Sequence, residues 1–160
     1  MAKSTALLYQ DRPKYDYWLK LVIAGTLAIT LIPGIVFIYL STELAWTMLA
    51  LTVFDGLLFH AILPRHFQLF EDRLRIELGK PFALNVRYDN IREVRPASTE
   101  EAFVYWGIRF ATSTKNLIEV VRNKGLNMII SPGDVEMFLQ QLEQARSMWS
   151  GDEKRLLKEA

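Results

Sequence analysis

The chain contains no cysteine and only two histidines in 160 residues. Without cysteine there is no disulfide framework and no thiolate ligand for a metal ion. A surplus of one charge is missing as well, because 19 Lys and Arg stand against 18 Asp and Glu. A nucleic-acid-binding surface needs a basic footprint, which this balance does not supply. We therefore expect no disulfide scaffold and no nucleic-acid partner.

Motifs for catalysis are also missing. The sequence has neither a glycine-rich phosphate-binding spacing nor a set of Ser, His and Asp suited to nucleophilic catalysis. A metal site built from Asp55, His60 and His66 would need side chains at three different depths to converge on one ion. The sequence thus predicts no enzyme, no catalytic residue, no cofactor and no metal.

Two long apolar runs stand near the N-terminus. Residues 21–40 carry no charge, and a second run at 44–63 follows after only three residues. About 20 apolar residues suffice for an α-helix to cross the ~30 Å hydrocarbon core of a bilayer. The runs are too long for the apolar core of a cleavable signal peptide. The sequence predicts a retained transmembrane hairpin at 19–64 behind an N-terminal segment at 1–18, so membrane lipids are the first expected partner.

The flanking charges predict the orientation of this hairpin. Arg12, Lys14 and Lys20 precede the first run and Arg65 follows the second, whereas the connection between the runs has no Lys or Arg. Cationic flanks are retained on the cytoplasmic side. We expect two spans in a bacterial inner membrane, with both termini in the cytoplasm.

One carboxylate interrupts the second run. Asp55 would lie inside the bilayer, where an uncompensated charge costs at least ~2.5–3.5 kcal/mol. With the hairpin folded about Thr42, Thr30 lies opposite and offers a hydroxyl as an intramembrane contact. Three roles remain open for Asp55: a hydrogen bond between helices or copies of the chain, a proton or ion pathway, and contact with another membrane subunit.

Residues 65–149 change to a pattern typical of strands. Leu74, Ile76 and Leu78 alternate with charged residues, which places them on one face of a strand. Short segments of this kind recur between turn residues as far as residue 130 and give about seven strands.

A single amphipathic helix is expected after the strands. Ser131 and Pro132 predict its start, because serine is a common helix cap and proline fits the first helical position. Apolar residues then recur at helical spacing, so one stripe must pack on the sheet: Val135, Phe138, Leu139, Leu142 and Ala145. A polar helical tail at 150–160 closes the chain.

Three segments carry a resemblance to a known family: LFEDRLRIELG at 69–79, YDNIREVRPA at 88–97, and 116–142 with the terminal helix. In this order they resemble the bacterial pleckstrin-homology-like (PH-like) domain family, in particular its small membrane-anchored members with a two-helix hairpin in front. The stretch 98–106 departs from the pattern. The resemblance implies an α+β membrane protein, in which the hairpin precedes a β-barrel or sandwich capped by the C-terminal helix, and a binding platform without catalytic activity.

Lipid and protein are the two expected kinds of ligand. Arg73, Arg75, Lys80 and Arg87 are the candidates for contact with anionic headgroups, each surface cation adding about 1 kcal/mol. The turn between the first two strands after the hairpin holds acidic residues, which weakens a phosphoinositide pocket of the kind that eukaryotic relatives have.

Aromatic residues suggest a protein contact instead. Tyr105, Trp106 and Trp149 are candidates, since aromatic side chains are favoured anchors in interfaces. Packing of Tyr105 or Trp106 inside the barrel is the alternative, because half of the side chains of a strand face inward. The sequence favours an accessory or scaffolding subunit that holds an interaction surface at the membrane, its partner being another membrane protein or a second copy; an anionic-lipid module is the alternative function.

Overall fold

The computed structural model describes residues 6–98 and 106–159, with side chains up to residue 150. Over these residues it has an α+β fold, with two apolar helices, eight strands in two sheets and a C-terminal helix, which confirms the predicted fold class. The helices are α1 Tyr17–Phe37, α2 Thr42–Ile62 and α3 Val135–Glu159. The strands are β1 Leu7–Asp11, β2 His66–Phe70, β3 Arg73–Glu77, β4 Ala83–Arg87, β5 Ile91–Pro96, β6 Ile108–Phe110, β7 Ile118–Arg122 and β8 Met128–Ile130.

The strands form two four-stranded sheets that enclose one core. The first has the order β1-β2-β3-β4 and is antiparallel throughout. The second has the order β5-β7-β8-β6, in which β6 runs parallel to β8. Alternation in β2 and β3 buries Phe67, Leu69, Leu74 and Ile76 completely, whereas their neighbours along each strand stay partly exposed. The predicted strand pattern after residue 65 is therefore correct.

Helix α3 covers the core with one stripe of side chains. Phe138, Leu142 and Ala145 are buried, and the Phe138 ring lies edge-on to both Tyr9 and Phe67, with ring centroids 6.2–6.3 Å apart. Spacings of three and four residues place these positions on one face. The helix continues without a break to Glu159, through the boundary expected at residue 150.

The predicted start of this helix was wrong by three residues. Pro132 instead forms an antiparallel bridge with Pro13, and α3 begins at Val135. The Asp134 carboxylate accepts a hydrogen bond from the Met137 N–H at 3.0 Å, the usual contact of a helix N-cap. Asp134 caps the helix because its side chain, unlike the buried hydroxyl of Ser131, reaches that N–H.

Strand β1 is the element that the sequence did not predict. It precedes the apolar helices and yet pairs with β2, with Gln10 opposite Gln68 and Asp11 opposite Phe67. The α1–α2 hairpin is therefore inserted between the first two strands of one sheet. Residues 7–11 of the N-terminal segment at 1–18 thus contribute an edge strand to the domain.

The hairpin defines two ends of the domain. The proximal end carries the connections to α1 and α2 and the β3–β4 turn at 78–82. The distal end lies at the opposite side, where the Tyr88 N–H donates to the Asp72 carbonyl (3.2 Å) and the Asn123 N–H donates to the Asn90 carbonyl (2.8 Å). A strand of five residues separates the two ends by about 13 Å.

Helices α1 and α2 are long and apolar enough to be candidate membrane spans. They contact each other along one stripe, where Gly34 lies next to Leu49 and the Thr52 hydroxyl donates to the Thr30 hydroxyl at 3.0 Å. Only 11% of the most apolar stretch of α1 and 6% of that of α2 is buried, so the protein itself does not cover these helices. A core helix of a soluble protein would be mostly buried.

The expected contact between Thr30 and Asp55 is replaced by the pair of Thr30 and Thr52. The hairpin turns at residues 38–41, earlier than the expected centre at Thr42, and this moves the level opposite Thr30 from Asp55 to Thr52. Asp55 remains on the stripe that faces α1 and is half-buried. Its carboxylate makes no hydrogen bond or ion pair with the part of the chain that the structure describes.

Candidate functional site: the membrane junction and the distal surface

Asp16 fixes the start of α1 to the second sheet. Its carboxylate accepts hydrogen bonds from the Ser113 hydroxyl (2.8 Å), the Thr114 N–H (2.7 Å) and the Thr114 hydroxyl (2.9 Å). Burial acts to raise the pKa of Asp16, but the hydrogen bonds from Thr114, Ser113 and Trp18 outweigh it and hold the pKa below its ordinary value. The residue directly before a candidate span is thus an ionised carboxylate locked into the domain.

Thr112 ties the same connection to the core. It is buried, its hydroxyl donates to the Lys14 carbonyl at 2.7 Å, and its carbonyl accepts from the Asp16 N–H at 3.0 Å. The Thr112 N–H in turn donates to the Ser131 hydroxyl at 2.8 Å. The chain that leads into α1 is therefore held by Thr112, which follows β6, and by the Ser131 carbonyl, which follows β8 and accepts from the Lys14 N–H at 3.2 Å.

The exit from α2 is held as firmly as the entry to α1. The Tyr15 hydroxyl donates to the Pro64 carbonyl (2.5 Å), and the Arg65 N–H donates to the Glu77 carbonyl (2.7 Å). Burial raises the pKa of the Tyr15 phenol, although the Arg65 charge acts to lower it, so the hydroxyl keeps its proton. Gly79 lies against the His60 carbonyl so closely that a Cβ would clash with it.

Asp11 links β1 to the N-terminus of α3. One of its carboxylate oxygens accepts from the Gly133 N–H at 2.8 Å and, more weakly, from the Asp134 N–H at 3.3 Å. A negative charge at a helix N-terminus is stabilised by the unpaired N–H groups there. Together with Asp16, this contact makes the segment in front of α1 part of the domain.

The family of the soluble part follows from the comparison with protein families. The bacterial PH domain family matches residues 65–146, which is just over half of the chain. The chain belongs to the bacterial PH domain family. No curated protein and no solved structure matches it. The match covers β2 to β8 and the buried part of α3, and the PH domain is by its family an interaction module for proteins or lipids.

Both β1 and the hairpin lie outside the matched residues. The two candidate spans precede the matched region, and β1 precedes the spans. The seven strands of the PH domain are therefore extended here by an eighth that the hairpin separates from the rest. Both connections to the candidate spans are hydrogen-bonded to the PH domain, one through the Thr112 hydroxyl and the other through the Arg65 N–H.

Three of the four residues expected to contact headgroups lie on the outer face of β3 and β4, and Lys80 lies apart from them. Lys80 is exposed and lies in the proximal β3–β4 turn. Arg73 and Arg87 are opposite each other in register at the distal end. Arg75 lies between them and the proximal end, in the middle of β3.

The two distal arginines also form ion pairs with acidic neighbours. The Arg73 guanidinium lies 3.3 Å from the Asp72 carboxylate and over the Phe70 ring, and Arg87 lies 3.2 Å from Asp89. Both pairs lie at the end of the domain remote from the hairpin, whereas Lys80 lies at the proximal end.

The predicted protein contacts divide in the same way. Tyr105 lies outside the described residues. Trp106 is 95% exposed, so the alternative of packing inside the barrel is wrong for this ring. Trp149 is partly buried and lies edge-on to Tyr88, with ring centroids 6.4 Å apart, so packing of α3 explains its position without a partner.

An exposed leucine joins Trp106 at the distal end. Leu126 is 59% exposed and precedes β8 by two residues, just as Trp106 precedes β6 by two. Since these strands are parallel and Ile108 pairs with Met128, both side chains belong to the same end of the second sheet. We name Trp106 and Leu126 the distal patch. Trp106 could be predicted from the sequence because it is an aromatic residue. Leu126 becomes a candidate only through the pairing of β6 with β8.

No metal centre is formed among the residues that the structure describes. No three His, Asp or Glu side chains there are close enough to hold an ion. His60 and His66, which the sequence grouped with Asp55, instead bind separate partners: His60 contacts Arg65 and His66 contacts Glu77.

Proposed function

We propose that this chain is a non-enzymatic, membrane-anchored PH domain that presents a protein-binding surface to the cytoplasm, as an accessory or scaffolding subunit of a membrane assembly. The observation that carries the proposal is the insertion of the hairpin between β1 and β2. A domain tied at both connections keeps one face toward the bilayer and one face away from it. A scaffold needs such a fixed presentation, whereas a flexible tether would not provide it.

Anchoring by α1 and α2 is supported by what the helices leave uncovered. Their apolar side chains are mostly exposed, and the turn between them contains neither Lys nor Arg. The cations Arg12, Lys14, Lys20 and Arg65 all lie on the side of the domain. By the positive-inside rule this distribution supports a location of the PH domain and both termini in the cytoplasm of a bacterium, at the inner membrane.

The distal patch supports a protein rather than a lipid as the partner. Trp106 and Leu126 are exposed at the end that points away from the spans, about 13 Å from the proximal end. A bilayer that holds α1 and α2 cannot reach them. Tryptophan is enriched among the residues that dominate binding energy in interfaces, so we expect Trp106 to anchor the partner.

The test is purification of the full-length tagged protein from native membranes in mild detergent, followed by mass spectrometry of the proteins retained near stoichiometric ratio. We expect a defined partner that Trp106→Ala releases without lowering the melting temperature. Phe82→Ala is the matched control, because Phe82 is also exposed (54%) but lies in the proximal turn. Equal retention by the two variants, or recovery of this chain alone, would contradict the proposal.

A further inference from the structure

A groove of about 660 Å³ lies where α1 and α2 meet the PH domain. Its deeper part is lined by apolar groups of both helices, namely Ile23 and Leu27 of α1 and Gly56 and Phe59 of α2. Gly56 leaves open space, since a Cβ there would meet nothing within 4 Å. The volume is in the usual range for sites that bind small molecules, roughly 300–1,000 Å³.

The end of the groove next to the domain is polar, but most of its polar groups already have partners. The Tyr15 hydroxyl donates to the Pro64 carbonyl, and His66 Nδ1 lies 3.0 Å from the Glu77 carboxylate. These contacts belong to the junction between the hairpin and the domain. They leave Arg12 and Arg65 as the groups available to a ligand.

Two guanidinium groups at this end have no carboxylate partner among residues 6–98 and 106–150. Arg12 and Arg65 are both exposed and line the groove. Neither is in an ion pair with a described residue, and Arg65 makes its side-chain contact with His60 Nδ1 at 2.8 Å. A guanidinium carries five N–H donors in a planar fork that fits phosphate oxygens in pairs. The polar end is therefore complementary to a phosphate.

The groove reaches into the part of α1 that would lie in the hydrocarbon core. Leu27 lies six residues beyond Leu21, where the uncharged run begins, which corresponds to about 9 Å at 1.5 Å per residue. This is more than half of the ~15 Å of hydrocarbon in one leaflet. A ligand with a phosphate at the mouth and an apolar chain of this reach is a phospholipid. A free phosphate would leave the apolar walls unused.

We propose that this groove is a binding site for one anionic phospholipid of the cytoplasmic leaflet, with the headgroup phosphate between Arg12 and Arg65 and an acyl chain beside Gly56, between α1 and α2. The inference rests on the proposed membrane anchoring. It places lipid recognition at the junction and away from Arg73, Arg75 and Arg87. The distal patch stays free for a protein when the groove is filled.

The test uses the full-length protein in mild detergent and native mass spectrometry of lipids retained after addition of phosphatidylglycerol or of phosphatidylcholine with the same acyl chains. We expect selective retention of phosphatidylglycerol and a loss of about tenfold in the double variant Arg12→Gln/Arg65→Gln. The control is Lys115→Gln/Lys124→Gln, which removes two exposed cations that do not line the groove. The control should retain phosphatidylglycerol as the wild type does.

A second pair of variants tests the apolar part without changing any charge. Gly56→Leu fills the groove and should prevent retention, whereas Gly25→Leu adds the same side chain outside the groove, also in open space. This pair carries the test if the double arginine variant does not fold. The proposal fails if both lipids are retained equally or if Gly56→Leu and Gly25→Leu behave alike.

Two further outcomes distinguish a failure of the lipid-binding proposal from a failure of the proposed membrane anchoring. Displacement of the lipid by millimolar inorganic phosphate would show that the arginines bind a free anion, which overturns the lipid assignment. Extraction of the wild-type protein from membranes by alkaline carbonate would overturn the anchoring itself. A protein that resists extraction and yet shows no lipid selectivity would refute only the groove.

Discussion

Replacement of Asp16 by alanine tests the connection between the hairpin and the PH domain. Asp16 is one residue before α1, and its carboxylate accepts three hydrogen bonds of 2.7–2.9 Å from Ser113 and Thr114. Asp16→Ala removes the carboxylate that accepts all three hydrogen bonds. We expect the variant to fold with a weakened junction.

The expected loss follows from the number and type of these bonds. A hydrogen bond to a charged group contributes about 1.5–3 kcal/mol when it is well shielded. Asp16 is only half-buried, so water replaces part of what the variant loses. We expect the free energy of unfolding to fall by about 2–3 kcal/mol, which corresponds to a drop in melting temperature of roughly 10 °C for a domain of this size.

The assay is thermal unfolding of the full chain in detergent micelles, followed by near-ultraviolet circular dichroism. Asp89→Ala is the matched control, because Asp89 pairs with Arg87 at 3.2 Å through side chains that are 47% and 68% exposed. Such a surface pair contributes about 0–1 kcal/mol. Trypsin should also cleave faster at Lys14 in Asp16→Ala than in the control.

Equal melting temperatures for the two variants would show that the Asp16 hydrogen bonds do not stabilise the connection between α1 and the PH domain. Unchanged cleavage at Lys14 would show this independently, because a freed connection must expose that peptide bond. A larger loss than expected, with no folded protein, would mean that β1 cannot pair with β2 unless Asp16 holds the connection.

Three further predictions concern pH, close packing and helix capping. Because the pKa of folded Asp16 lies below its ordinary value of 3.8, its stabilisation is complete above about pH 4 and is lost as pH falls through the folded pKa; the melting difference between wild type and Asp16→Ala should therefore shrink near pH 3. Gly79→Ala should lower the melting temperature strongly, since its Cβ would clash with the His60 carbonyl, whereas Gly25→Ala has open space and should not. Asp11→Ala should cost about 1–2 kcal/mol in denaturant unfolding, because it removes an acceptor from the N-terminus of α3.

Each of these predictions has a result that contradicts it. A melting difference that stays constant down to pH 3 would mean that the Asp16 carboxylate does not contribute through its charge. Equal melting of Gly79→Ala and Gly25→Ala would place the β3–β4 turn away from α2. An unchanged denaturant midpoint for Asp11→Ala would show that the hydrogen bonds from the N-terminus of α3 to Asp11 do not contribute to stability.

The sequence predicted the helices and strands that have a recognisable local pattern of apolar and polar residues. Alternation at Leu74 and Ile76 placed a strand with the correct face inward, and the spacing of Phe138, Leu142 and Ala145 placed α3 on the core. The absence of charge over 21–40 located α1. These features depend only on the residue types of one segment.

What the sequence could not predict depends on contacts between distant segments. Strand β1 has five residues, and its pairing with β2 is set by contacts across the whole hairpin. Asp16 reads as a helix cap next to α1, yet its side chain bonds to Ser113 and Thr114, almost 100 residues away. Such partners follow from topology, which a single sequence does not give directly.

The helix-to-helix contact shows how a small shift changes a residue assignment. The turn at 38–41 lies just ahead of the expected centre at Thr42, and this displacement pairs Thr30 with Thr52 in place of Asp55. One helical turn is 5.4 Å, which is enough to separate a hydroxyl from a carboxylate. Which residues of α1 and α2 face each other therefore depends on the position of the turn, and apolar composition alone does not determine that position.

The insertion of the hairpin between β1 and β2 is the central claim, and a disulfide cross-link tests it most directly. The chain has no native cysteine, so Gln10→Cys/Gln68→Cys introduces a single pair at positions opposite in register. Opposite residues of antiparallel strands have Cα atoms about 4.5–5.5 Å apart, within the range that a disulfide spans. Gln10→Cys/Asn85→Cys is the control, because Asn85 lies on β4, at the other edge of the same sheet.

The measurement is the fraction of thiols protected from a maleimide mass tag after mild oxidation in native membranes. We predict nearly complete protection for the pair at 10 and 68 and none for the pair at 10 and 85. Free thiols in both pairs, or equal protection in both, would show that β1 does not lie beside β2 and would contradict the account.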